Sequence, residues 1–314
     1  EEGQREVLAG YGITEERLGI PVVTTVDTVY LGNCTNGRPV WFDRAAYEAD
    51  LIVPINRVKL HTDFVGPIQS GLCKMLVIGL GNHKGCSAVH EEAPEVFADA
   101  IEETVRLILQ KAPVGFGIAI LENAYDKTYA VEAVPAEHLV EREKELVQIA
   151  KGNMPYIMLD EADVIVCGAI GKDISGAGFD PNILGRSSVL KQFVLHIPRY
   201  QRLVLCDVTP ASHGNGIGVG LFDVITKKVA EQLDLESMYA NAIACNCLGD
   251  ASVPCTVDDE ETAIRVALKC CRNIDRDHPR IIRIQNTLHL GEIEVSEALL
   301  DAVRADSRMS LIEN

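Results

Sequence analysis

The chain has 314 residues, 47% hydrophobic and 24% charged, with 29 basic against 46 acidic side chains and a formal net charge of −17. Length and composition suit an α/β protein with a substantial core. The acidic balance argues against nucleic acid or an anionic membrane surface as partner, since both need a cationic face, and no apolar run reaches the roughly 18 residues of a membrane span. Ten cysteines without dense spacing read as reduced thiols, which points to the cytoplasm.

The opening residues 1–12 read as a helix. Residues 21–26 and 29–31 read as strands, 33–37 (NCTNG) as a turn, and 39–42 as a further strand. Asp43 is placed to cap a short helix, and the apolar run 51–55 predicts a strand buried in a parallel sheet. Helical spacing predicts a helix over 94–111, a strand pair at 116–121 and 129–135, and a charged helix over 136–149. KGNMP at 151–155 is the linker candidate. Beyond it, 164–170, 203–208 and 281–284 read as strands, and 221–233 and 260–271 as helices. The amphipathic tail 292–304 is expected to pack back on the first domain. The alternation predicts two α/β domains with mainly parallel sheets: 1–154 joined by 290–314, and 155–289.

The most informative stretch is a cationic island that begins right after the expected strand at 51–55. It runs NRVKLHTDFVG (56–66), QSGLCK (69–74) and GLGNHKG (79–85), ending at His90. Arg57, Lys59, Lys74 and Lys84 face one acid, Asp63, in a chain that is otherwise acidic. Loops at the carboxyl ends of parallel strands are where open sheets place ligands. Gly66, Gly71, Gly79, Gly81 and Gly85 allow close main-chain approach, and a helix start near Ser70 offers N–H groups to an anion. Lys74 is embedded in the apolar LCKMLVI (72–78). Such a lysine either snorkels outward or, desolvated, serves as a neutral amine nucleophile.

On these residues the chain resembles the lactate racemase-like family, which carries a nickel-pincer nucleotide, and the likeness runs over most of its length. The resemblance implies covalent attachment of that cofactor to Lys74 and nickel ligation by His90, sixteen positions later. It makes His61, thirteen positions upstream of Lys74, the general acid/base. Gly79 and Gly81 fall to the cofactor, and Arg57 and Lys59 to the substrate carboxylate. The implied reaction inverts a small anionic 2-hydroxy acid by hydride removal and return through a keto acid, in a protein loaded by cofactor-building enzymes. Imidazole suits both nickel ligation and proton transfer at neutral pH. The family's second catalytic histidine and a substrate arginine precede the position of Glu1, so an upstream segment of about a hundred residues is expected. After the shared Asp173-Ile174 pair the family's glutamine and lysine are replaced in DISGAGFDPNILGR (173–186). That change implies a substrate other than lactate, a short aliphatic or sugar acid contacted by Ser175, Asp180, Asn182 or Arg186.

Other signals carry less. HGNGIGVG (213–220) lacks a phosphate-loop lysine and reads equally as a tight turn. Cys245, Cys247, Cys255, Cys270 and Cys271 fit no standard two-plus-two metal spacing. Cys73 and Cys86 flank the expected cofactor site and read as small packing residues. The competing readings are a non-catalytic anion-binding scaffold of the same fold and an iron–sulfur redox protein.

Overall fold

The computed structural model describes residues 2–312; Glu1, Glu313 and Asn314, which belong to the expected first domain and its returning tail, lie outside the described residues. The chain divides into two compact units: 1–122 with 128–152, and 123–127 with 153–314. The class is α/β, as expected.

The first unit opens with the helix Glu2–Gly10. Residues 21–27, expected to include a strand, have no regular structure. β1 (Thr28–Asn33) and β2 (Pro39–Asp43) form an antiparallel hairpin whose turn is closed by Gly37 at φ +87, a conformation that favours glycine. The Asp43 carboxylate accepts the Ala46 N–H and caps the helix Arg44–Tyr47, as expected. In the apolar run 51–55, Ile52 forms an isolated bridge with Val114, and the strand proper, β3 (Ile55–Arg57), begins only at the run's last residue. β3 runs parallel to β4 (Phe116–Glu122), which pairs antiparallel with β5 (Thr128–Pro135). This sheet is therefore mixed. The helix Phe97–Lys111 buries Phe97, Ile101, Val105 and Ile108, the spacing of one helical face. The helix Leu139–Asn153 buries Leu139, Leu146 and Val147 and continues through the expected linker start.

In the second unit, the sheet of described residues has the order β11-β10-β6-β7-β8-β9, from β6 (Val164–Cys167), β7 (Arg202–Leu205), β8 (Val224–Thr226), β9 (Cys255–Val257), β10 (Ile281–Ile284) and β11 (Ile293–Val295). All pairings are parallel except β10 with β11. Alternate residues of β6 enter two cores: Ile165 and Cys167 join one with Leu203, Ile225 and Ile284, while Val164 and Val166 join another with Ala263, Ala267 and Cys271. A strand buried on both faces reads as an unbroken apolar run. The helix expected over 221–233 divides into β8 and a short helix, Lys227–Gln232, because the β-branched Val224, Ile225 and Thr226 pair with β7 and β9. The tail forms β11 and the helix Leu300–Ala305, and Leu299 and Val303 are buried in the second unit's own core. The expected return of 290–314 to the first domain is thereby corrected: an antiparallel pairing with β10 keeps the tail where it is.

Candidate active site

The cationic island folds into a closed loop followed by two helices. Lys59 and Ser70 exchange both backbone hydrogen bonds, at 2.8 and 3.1 Å, which pinches 60–69 into a loop. Leu60, Phe64 and Ile68 anchor that loop in the core. The buried Gln69 accepts the His61 N–H at 2.8 Å and donates to the Gly66 carbonyl at 3.1 Å. His61 is thus held above the helix Leu72–Lys74, which runs on as a π-helical turn, Met75–Gly79, closed by Leu80 N–H to the Met75 carbonyl. Such turns inside helices often mark functional sites. The helix Asn82–His90 follows, with His90 in its last turn.

Lys74 Nζ makes a close hydrogen bond with His61 Nε2. His61 Nδ1 accepts the backbone N–H of Asp63 at 3.0 Å, so in a neutral ring the proton sits on Nε2. Nε2 then donates to Nζ, and a nitrogen that accepts must be the unprotonated amine. The electrostatics agree. Burial, the largest cause, and the neighbouring Lys59 charge hold His61 well below the usual histidine range, and a protonated Lys74 would press it lower still. Burial also lowers Lys74, Lys59 adds to this, and Asp63 opposes it. Both groups are shifted towards their neutral forms.

An aromatic wall links this pair to His90. The ring centroids of His61 and Phe64 are 4.4 Å apart, those of Phe64 and Phe97 4.8 Å, and those of Phe97 and His90 4.9 Å. His90 is exposed, yet burial against this wall, followed by the Lys74 charge, lowers its pKa and keeps its ring an available nitrogen donor. Two positions beyond His90, Glu92 pairs with the buried guanidinium of Arg38, which also binds Glu103 and the Ala100 carbonyl, both at 3.1 Å. Sequence reasoning missed Phe64, Phe97, Gln69 and Arg38, because none carries a chemical motif.

The remaining expected site residues divide. Lys59 is exposed, with its charge felt by both His61 and Lys74. Arg57, expected to clamp a carboxylate, instead donates to Glu122 on β4 at 2.7 Å. At Gly79 the Met75 sulfur occupies the place of a Cβ, and at Gly81 a Cβ would lie 2.1 Å from the Val77 carbonyl oxygen. Gly81 lets the π-helical turn and the helix Asn82–His90 approach closely, and Gly79 leaves room for the Met75 side chain. Gly81→Ala is expected to destabilise the protein by about 1–3 kcal/mol through overpacking; a urea unfolding midpoint equal to the parent's would refute this.

In the second unit, strand order reverses between β6 and β10, and the carboxyl ends there are where such sheets bind ligands. The segment after β6 carries Ser175 in a tight turn and Asp180, whose N–H donates to Thr287 Oγ1 at 2.9 Å beyond β10. Asp180 also caps the helix Pro181–Leu184. Arg186 is engaged elsewhere, donating to the Leu221 carbonyl at 2.8 Å and pairing with Asp223 at 2.6 Å.

Among the described residues, no group of three or more His, Cys, Asp or Glu side chains is placed to hold a metal ion, and no helix is long and apolar enough to cross a membrane. The cysteines at 245, 247, 255, 270 and 271 are all free thiols.

No protein-family profile and no curated protein matches the sequence. Among solved structures, the chain is similar to a lactate racemase apoprotein from Thermoanaerobacterium thermosaccharolyticum, with TM-score 0.44, 13% identity, and coverage of 83% of this chain and 67% of that one. It is also similar to a structural-genomics protein from Thermotoga maritima, with TM-score 0.39, 14% identity, and coverage of 61% and 53%. At these values the likeness is one of shape.

Proposed function

We propose that this chain is a racemase or epimerase of a small 2-hydroxy acid other than lactate, working through a nickel-pincer nucleotide attached to Lys74. The observation that carries the reading is the hydrogen bond between His61 and Lys74 in a buried setting that shifts the lysine towards its neutral, nucleophilic amine. The donor set fits the group. One imidazole, His90, stands at the far end of the aromatic wall, and imidazole is a suitable nickel ligand.

When bound, the cofactor supplies a reversible acceptor for the hydride of the substrate's hydroxyl-bearing carbon. Lys74 would hold it through nitrogen, and His90 would contribute its ring nitrogen to nickel. His61 exchanges the hydroxyl proton; its low basicity favours returning the proton over keeping it. An amide-type nitrogen at Lys74 would offer no lone pair to His61, which would leave the ring to the substrate. Lys59 supplies positive charge for the carboxylate in place of Arg57.

Mass spectrometry of the protein made alongside cofactor-building enzymes and nickel tests the reading. A nucleotide-sized adduct is expected on Lys74 and absent in Lys74→Arg. His90→Ala is expected to keep the adduct and lose at least about tenfold in nickel occupancy, the scale of losing a ligand or its support. An unmodified Lys74 under these conditions would overturn the proposal in favour of an anion-binding scaffold.

A further inference from the structure

Glu143 lies 70 positions from the site in sequence, and its side chain is fully buried. It projects from the helix Leu139–Asn153 to the start of the helix that bears Lys74, where Oε2 accepts the Cys73 N–H at 2.9 Å. Oε1 is buried and makes no hydrogen bond. Gly71 leaves the room, since a Cβ there would lie 2.6 Å from the Glu143 carboxyl carbon. From the other side, Asn56 Nδ2 donates to the Gly71 carbonyl at 3.0 Å. Gly117 on β4 is equally specific: a Cβ would meet Leu72 at 2.6 Å, so the helix start is seated directly on the sheet.

A carboxyl group stripped of water with one oxygen unmatched is an expensive way to fill a core. An apolar side chain of similar volume would fill that space without the cost. The feature that only a hydrogen-bond acceptor supplies is the hold on the Cys73 amide, one residue before Lys74. We infer that Glu143 is a positioning residue for Lys74, fixing the backbone from which the amine reaches His61. Asn56 and Glu143 then grip the peptide groups on either side of Leu72, so the lysine starts from a clamped main chain. The role matters only if Lys74 is used, so the inference rests on the function proposed above.

Its test needs no cofactor. The full chain is treated with an acetylating N-hydroxysuccinimide ester over a range of pH, and peptide mass spectrometry gives the rate at Lys74 relative to the exposed Lys84 and Lys111. Glu143→Ala is expected to move the Lys74 pH–rate profile towards those of the exposed lysines, lowering its relative rate at neutral pH by about tenfold. Glu143→Gln, whose amide oxygen accepts the same N–H, is expected to stay within about twofold of the parent. An unchanged profile in the alanine variant, or an equal loss in the glutamine variant, would overturn the inference. Should the alanine variant not fold, hydrogen exchange at the Cys73 amide decides: protection in both the parent and Glu143→Gln supports it, and fast exchange in either overturns it. Failure here, with an adduct still found on Lys74, would leave the proposed function standing; success without an adduct would do the reverse.

Discussion

Glu143→Gln is expected to stabilise the protein by about 3 kcal/mol at roughly pH 8 and to change it little near pH 4. Burial pushes the Glu143 carboxyl from its ordinary 4.5 up to about 7, with the hydrogen bond from the Cys73 N–H only partly opposing it. Between those two values the folded chain keeps a proton that the unfolded chain has released. The stability contributed by the protonated group is fully present below about 4.5 and is lost as pH rises through about 7. Each pKa unit is worth about 1.4 kcal/mol, so the loss at alkaline pH is about 3 kcal/mol. Glutamine matches the shape of the protonated acid and has no proton to lose. Urea unfolding of both proteins at several pH values measures the difference; parallel stability curves would show that the carboxylate bears no burial penalty.

Lys74 is expected to acetylate at neutral pH far faster than exposed lysines of the same protein, and His61→Ala is expected to slow it by at least about tenfold. Burial is the main reason the Lys74 pKa is lowered, and the His61 ring supplies part of that cover while donating to Nζ. Removing the ring admits water, favours the ammonium, and shrinks the nucleophilic fraction tenfold for each unit the pKa climbs. The pH–rate profile of the Lys74 peptide reads this directly, with its midpoint rising in the variant. If Lys74 follows the profile of the exposed lysines in the parent, the neutral pair does not exist.

Among the expected residues, Lys74, His61 and Lys59 come together, and His90 joins them along the Phe64–Phe97 wall. Arg57 and Arg186 fall to local carboxylates. The resemblance assigned both arginines to the substrate. Whether a guanidinium is free depends on an acid brought near by pairing or packing: Glu122 reaches Arg57 through β4, and Asp223 reaches Arg186 from the approach to β8.

What the sequence determined by itself is local. Continuous apolar runs specified β6, β7 and β10, because strands buried on both faces need no polar alternation, and helical spacing specified Phe97–Lys111. An isolated lysine among apolar neighbours marked Lys74, since such a position demands an explanation. Tertiary structure alone decided what surrounds it. The Lys59–Ser70 pairing folds His61 onto Lys74, β8 replaces the expected helical start because two neighbouring strands were waiting to pair, and the tail stays with β10. Glu143 carries no motif and lies on a helix whose charged pattern reads as solvated, yet its carboxyl is buried 70 residues away against the lysine helix. Side-chain type fixes what a residue can do within a turn or two of chain. Hydrogen-bond partners, desolvation and protonation state are set by groups distant in sequence, and these come into contact only when the core closes.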